Sequence, residues 1–232
     1  MKLTLLGVWG PFPAPDGGCS SYLVEDGDTK ILLDCGSGAL SKLRALYPDL
    51  PALDAIVLSH MHADHAGEIH LIRYALEFGQ GRMPMPVFSP ETKTLQYAAF
   101  RPTETTDGMT VRIGTLTLRF VEVRHAGPAM GVRITDANGR ALFYTGDTAY
   151  FAGLADAAKD ADLLLADACL ADESNPKALK NHMTGEQVCM LGRQANCKRV
   201  LFTHRFGANP IYPLPQGADN CAFAEEGAVY EI

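Results

Sequence analysis

His60-Met61-His62-Ala63-Asp64-His65 is the stretch that decides how this chain is read. It sets three imidazoles and a carboxylate within one hexapeptide, in a sequence with 7 histidines in all. Imidazole nitrogen and carboxylate oxygen suit Zn²⁺, and also Fe²⁺ or Mn²⁺. Upstream, the short apolar run Ala55–Leu58 reads as a buried strand feeding a loop. Downstream, Ile69, Ile72, Tyr74 and Leu76 recur at helical spacing within Glu68–Phe78, and Gly79 ends that helix. A strand end, a loop and a helix start can turn successive side chains toward one centre. The plain alternative is a solvated His-rich turn. The concentration of histidines in one segment at this position argues against it.

One loop cannot complete two metal shells, so further donors are expected at other strand ends. His125 follows the near-alternating run Leu116–Val123. Asp147, in Thr145-Gly146-Asp147-Thr148, follows the run Ala141–Tyr144. His204 follows the run Arg199–Thr203. Singly, each reads as a turn residue, above all an Asp after Gly. The recurrence at three strand ends carries the argument.

The remaining elements frame these positions. Lys2–Leu6, Ser21–Glu25 and Lys30–Asp34 read as strands, with Asp26-Gly27-Asp28 as a hairpin turn. Ala39–Leu46 fits a helix ended by Pro48. Gly131–Thr135 and Ala141–Tyr144 flank Asn138-Gly139, a hairpin signal. A helix around Phe151–Lys159 precedes a buried strand at Leu163–Ala166, and Thr184-Gly185-Glu186-Gln187 is a capping box that starts a helix running to about Arg193. After His204, a loop through Pro210, Pro213 and Pro215 leads to a last strand within Ala222–Ile232. No linker, repeat or low-complexity tract interrupts the chain. Strands followed by a helix, repeated in two halves, predict an α/β protein in which two sheets pack face to face with helices outside, one domain over residues 1–232.

Composition narrows the function. Apolar residues make up 47%, enough for a sizeable core, and the formal charge is −7. That charge argues against broad nucleic-acid binding, but not against small nucleotides, because bound cations dominate their own site. Met1 leads directly into Lys2-Leu3-Thr4-Leu5-Leu6-Gly7, with no secretory leader pattern and no apolar run of membrane-span length. Cys19, Cys35, Cys169, Cys189, Cys197 and Cys221 show no CxxC spacing and read as reduced thiols of a cytoplasmic protein.

These residues, in this order and spacing, resemble the metallo-β-lactamase-fold hydrolases. The resemblance covers nearly the whole length and implies a four-layer αββα sandwich. It implies that His60, His62 and His125 hold one metal, that Asp64, His65 and His204 hold a second, and that Asp147 bridges them. Two divalent ions, Zn²⁺ first and Mn²⁺ or Fe²⁺ as alternatives, would then act with the hydroxide between them as nucleophile. Asp34, in Leu33-Asp34-Cys35-Gly36, resembles the family's Asp-x-Gly strand end, which supports the site from behind the ligands. Asp64 and His182 are the candidate catalytic residues.

His182, in Asn181-His182-Met183-Thr184, resembles the His-x-Thr of the ribonuclease Z and phosphodiesterase branch. There the His serves the leaving oxygen, because an alkoxide leaves poorly without a proton. The plain alternative is a surface or capping His. Asp167, after Leu163–Ala166, is placed to orient it. Ribonuclease Z itself carries a long basic arm between the third His motif and the bridging Asp. Here that interval is 147 − 125 = 22 residues and reads as a hairpin. Gly7-Val8-Trp9-Gly10 and Cys19–Glu25 are similar to a compact bacterial subgroup that includes cyclic-nucleotide phosphodiesterases. The leading expectation is a phosphodiesterase of small cyclic or linear phosphodiesters, without membrane partners and with homodimer formation open. A tRNA 3′-processing nuclease, a lactonase or thioesterase, and a non-catalytic binding scaffold stand as rivals. His70 reads as surface or packing, Glu68 as a first-turn helix residue, and Gly7–Gly18 as a loop at the mouth of the site rather than a phosphate cradle.

Overall fold

A computed structural model describes residues 1–47, 53–79, 81–206 and 213–232. Pro48 and Pro210, read above as a helix stop and a loop residue, lie outside the described residues. The first half supplies β1 (Lys2–Gly7), β2 (Ser21–Asp26), β3 (Thr29–Leu33), β4 (Ala55–Val57), β5 (Met85–Ser89) and β6 (Phe100–Glu104). The second supplies β7 (Thr110–Ile113), β8 (Leu116–Glu122), β9 (Met130–Thr135), β10 (Ala141–Tyr144), β11 (Leu163–Asp167), β12 (Arg199–Thr203) and β13 (Cys221–Phe223). A final strand, β14 (Val229–Glu231), returns to the first sheet beside β1. The two sheets run β14-β1-β2-β3-β4-β5-β6 and β13-β12-β11-β10-β9-β8-β7. In each, hairpin strands pair antiparallel and the strands fed by helical crossovers pair parallel.

Strand alternation explains the layering. Ile31 and Leu33 of β3 and Leu163 and Leu165 of β11 point into one cluster between the sheets, with Leu5, Tyr22, Phe120, Val132 and Leu201. The intervening Leu32 points outward, onto Leu43 of α1 (Ala39–Leu46) and Ile69, Ile72 and Leu76 of α3 (Ile69–Glu77). Leu164 likewise meets Leu154 of α4 (Gly153–Ala158) and Val188 and Leu191 of α5 (Gly185–Gln194). Strands apolar on both faces therefore bury three interfaces between four layers, helices, sheet, sheet, helices.

Most sequence expectations survive, with shifts of a residue or two at element ends. The capping box is formed: Thr184 Oγ1 accepts from Gln187 N at 3.2 Å and Gln187 Oε1 from Thr184 N at 3.1 Å. Three strands had no sequence expectation, namely β5, β6 and β7. The C-terminal stretch forms two short strands, one in each sheet, where one was expected. The cysteines are unbridged. Cys189 and Cys221, 32 residues apart, nevertheless bring their sulfurs within 3.2 Å, a contact no local spacing motif could announce. No helix among the described residues is long and apolar enough to cross a membrane.

Candidate metal centre

The C-terminal ends of β3, β4, β8, β10, β11 and β12 open on one region, and each delivers a polar side chain to it. The loop after β4 carries His60 and His62 into α2 (Ala63–Ala66), whose first turn holds Asp64 and His65. Asp34 follows β3, Asp147 follows β10, Asp167 ends β11 and His204 follows β12. Two of these corners need unusual backbone: Asp34 (φ 53°) and His204 (φ 55°) both sit in the left-handed region. Asp and His tolerate that region better than most residues, yet each such residue still costs on the order of 1 kcal/mol, so the surrounding contacts must hold it there.

Two groups of donor atoms result. His60 Nε2 and His125 Nε2 each stand 3.0 Å from His62 Nδ1. Across from them, His204 Nε2 lies 3.0 Å from Asp64 Oδ2 and 3.1 Å from Asp147 Oδ2, while His65 Nε2 lies 3.2 Å from Asp147 Oδ1. Asp147 Oδ2 is also 3.9 Å from His60 Nε2 and from His125 Nε2, so this carboxylate lies between the groups. Every residue proposed from sequence as a ligand is therefore at this one centre.

The far sides of two of the imidazoles are fixed by hydrogen bonds. His65 Nδ1–H donates to Asp34 Oδ2 at 2.8 Å, and His125 Nδ1–H donates to the Asn181 carbonyl at 3.1 Å. Both rings thus present an unprotonated Nε2 to the centre when neutral. Asp34 also accepts from Ser59 N at 2.7 Å, Ser59 Oγ at 2.8 Å and Tyr144 OH at 2.6 Å. Ser59 and Tyr144 were not singled out from sequence. Nothing local distinguishes a Ser before a His, or an apolar-strand Tyr, as a partner of a buried carboxylate.

His182 lies at the edge of the centre. Its Nδ1–H donates to Asp167 Oδ2 at 2.9 Å, and Asp167 is itself held by Thr148 N at 3.1 Å and Cys169 N at 3.0 Å. Burial presses the His182 imidazole down, but the charge and hydrogen bond of Asp167, then the charge of Asp147, outweigh it and raise it to about 9. His182 Nδ1 stands 3.9 Å from Asp147 Oδ2, beside the ligand-type residues and not among the His60, His62 and His125 nitrogens.

The donor set fits divalent cations. Asp147 Oδ1 and His65 Nε2 are buried and have only each other, at 3.2 Å, as a polar neighbour of this kind. Buried polar atoms so sparsely partnered are costly unless something further pairs with them. Donors of a tetrahedral Zn²⁺ with bonds of about 2.0–2.1 Å stand about 3.3 Å apart. The separations of 3.0 to 3.2 Å above are close to this. Without a cation, burial lowers His65, yet the charges of Asp147 and Asp34 carry it well above its ordinary value. Burial, with the charges of neighbouring imidazoles, holds His60 and His125 below their ordinary values, so both stay neutral and able to bind a cation.

Two walls were not visible as such in the sequence. A Cβ on Gly10 would lie 1.9 Å from His204 Nε2, and one on Gly36 would lie 2.1 Å from the Asp64 carbonyl oxygen. The Gly7–Gly18 loop is therefore more than a mouth. Its backbone packs against His204, with Gly10 N donating to Arg205 O at 3.0 Å and Arg205 N to Val8 O at 2.9 Å. Glu68 has a different task from the one expected of a first-turn residue. Its carboxylate accepts from Gly38 N and Leu40 N, both at 2.6 Å, and so caps α1 from the neighbouring helix. His70 packs its ring edge-to-face on Tyr97, away from the donor groups.

The model of the beta-lactamase superfamily domain matches residues 29–205. The chain belongs to that superfamily. Within it, the probable metallo-hydrolase YhfI of Bacillus subtilis is 32% identical over 215 residues, 88% of this chain and 86% of that protein. The crystal structure of YhfI, a metallo-beta-lactamase fold protein, superposes with a TM-score of 0.89 at 26% identity, covering 99% of this chain and 98% of YhfI. The mitochondrial ribonuclease Z of Drosophila melanogaster is 26% identical over 259 residues, 96% of this chain and 34% of that protein. The zinc phosphodiesterase ELAC protein 2 of Macaca fascicularis is 26% identical over 254 residues, 91% of this chain and 31% of that protein. This chain spans about a third of each of those two longer relatives. It is a divalent-metal hydrolase of the superfamily, in the metallo-β-lactamase fold.

Proposed function

We propose that this hydrolase is a phosphodiesterase acting on small cyclic or linear phosphodiesters, with His182 as its general acid. The observation that carries the reading is the His182–Asp167 pair at 2.9 Å on the rim of the donor groups. An acyl hydrolase has less need of such an acid, whereas an alkoxide leaving from phosphorus requires a proton. With Nδ1 committed to Asp167, His182 has Nε2–H available to donate to the leaving oxygen. Asp167 positions the ring and favours its protonated form.

In this reading His60, His62 and His125 hold one cation, Asp64, His65 and His204 hold the second, and Asp147 lies between them. Such a pair of cations would activate water as nucleophile and neutralise charge on the phosphoryl oxygens. Asp34 keeps His65 oriented, and Asn181 does the same for His125 through its carbonyl. Zn²⁺ is the favoured ion on donor chemistry, with Mn²⁺ and Fe²⁺ also compatible. The names of the ribonuclease Z and ELAC relatives support phosphodiester chemistry. The interval between His125 and Asp147 supports a small substrate, since it is occupied by the paired strands β9 and β10 and leaves no length for an arm.

The test is a substrate panel with the Zn²⁺- and Mn²⁺-loaded protein: bis-p-nitrophenyl phosphate, cyclic nucleotides, precursor tRNA and a lactone. Turnover of the small diesters is expected to exceed the others. Preferential cleavage of precursor tRNA, or of the lactone, would overturn the ranking.

A further inference from the structure

Phe12 and Phe206 are large apolar residues, each two positions from a residue of the metal-centre wall, that the proposed chemistry leaves unused. Phe12 lies two residues beyond Gly10, whose backbone packs on the inward nitrogen of His204. Phe206 lies two residues beyond His204 itself. Two residues of extended chain reach at most about 7 Å, so the backbone of both residues is tethered close to Gly10 and His204. The rings meet edge-to-face, with centroids 5.3 Å apart and planes at 66°. Phe12 remains 47% exposed, and Phe206 is half-buried.

A single exposed Phe is ordinary. This pair differs because the two segments that carry it are hydrogen-bonded to each other. The exchange of hydrogen bonds between Gly10 and Arg205 and between Arg205 and Val8 ties the two segments together. The Arg205 guanidinium stacks 4.3 Å from the centroid of the Trp9 ring on the same ladder. An aromatic edge-to-face pair leaves one π-face open for a third ring, and a planar heterocycle is the substrate group that such a face selects.

We propose that Phe12 and Phe206 form a stacking platform for the nucleobase of a nucleotide-type substrate whose phosphate lies at the donor groups of Asp147 and His204. This names a substrate class and rests on the phosphodiesterase reading. The chemistry is recognition only: the platform distinguishes a nucleotide from a bare sugar phosphate, and tolerates different bases, because every base has a π-face.

The test uses two ligands that share a ribose 5-phosphate and differ only by the base: AMP and ribose 5-phosphate. Their binding to the Zn²⁺-loaded full chain is measured by calorimetry. Wild type is expected to bind AMP about fivefold tighter or more. In Phe12→Leu and Phe206→Leu, which keep apolar bulk but lose the π-face, that ratio should fall toward one while ribose 5-phosphate affinity stays unchanged. Equal affinities in wild type, or no AMP binding, overturn the platform. So does an unchanged ratio in both variants, even with a lowered Tm, since that outcome marks plain packing. The two readings fail separately. Diester turnover without an AMP preference sinks the platform alone. An AMP preference without turnover of any diester sinks the phosphodiesterase assignment and leaves the platform standing.

Discussion

The Asp34 carboxylate receives four hydrogen bonds from protein donors, two from Ser59 and one each from Tyr144 and His65. A buried carboxylate so satisfied by protein donors serves to hold His65. Asp147 is the opposite case, buried among imidazoles with Oδ1 facing only His65 Nε2, at 3.2 Å. Burial pushes its carboxyl up, but His204 and His65 drive it well below the usual carboxylate range, so it stays ionised and open to cations. Asp147→Ala should therefore lower metal content, read as Zn²⁺ per chain by atomic absorption; two tightly held ions in that variant would refute the bridging role. His182→Ala should keep its metals and lose about a hundredfold or more in kcat toward a diester with an alkyl leaving group. The loss should be smaller with p-nitrophenolate, which leaves without a proton. Equal losses for the two leaving groups would remove His182 from the general-acid role.

At the scale of elements, the site is built from strand ends. Parallel strands β3, β4, β10, β11 and β12 all finish at the same edge of their sheets. Their hydrogen-bond ladders run out there, so the chain can turn sharply and aim side chains inward. The Gly7–Gly18 loop closes this edge against His204. Gly10→Ala would drive a methyl into the ring, since the three atoms nearest the Cβ position all belong to the His204 imidazole. That variant should fold with displaced His204, bind the second metal ion more weakly and show a reduced Zn²⁺ stoichiometry at matched free metal. Full stoichiometry with unaltered affinity would mean the loop yields instead. The hairpin β9–β10 shows how a local signal can be sufficient. Asp136 Oδ1 accepts from Asn138 N at 2.9 Å and Arg140 N at 3.0 Å, and Gly139 takes φ 82°. Such a turn forms from its own residues, as Asn138-Gly139 announced.

For the whole molecule, stability comes from three apolar interfaces and is opposed by one charged centre. Leu165 has no exposed surface and lies between the sheets. Leu165→Ala should cost about 2–5 kcal/mol, measured by urea denaturation at fixed metal. Asp34, Asp64, Asp147 and Asp167 are buried together at the edge of those sheets. Removing cations by chelation should lower Tm, because the native state alone assembles the ligands and their sparsely partnered atoms then lack the cation. A Tm indifferent to chelator would mean the centre is satisfied without metal.

Short-range pattern was enough for much of this. The hexapeptide His60–His65, the capping box at Thr184 and the apolar runs of β3, β4, β10, β11 and β12 depend on residues adjacent in sequence, whose chemistry and periodicity act locally. The strands β5 and β6 were hidden because each contains a proline, Pro86 and Pro102, which reads against a strand. They form because Pro86 sits near the start of β5, before its pairing with β4 begins at Val87, and β6 is a sheet edge. β7 was hidden because it is short, exposed on alternate residues and stabilised by β8. The sequence alone thus determined the donor types, their order along the chain and the layered αββα plan, since these follow from side-chain chemistry and period. Only the tertiary structure decided that Asp147 lies between two donor groups, that Gly10 must lack a side chain beside His204, and that Glu68 caps a helix other than its own. Each of those is a contact between segments distant in sequence, and it exists only once the two sheets have closed on each other.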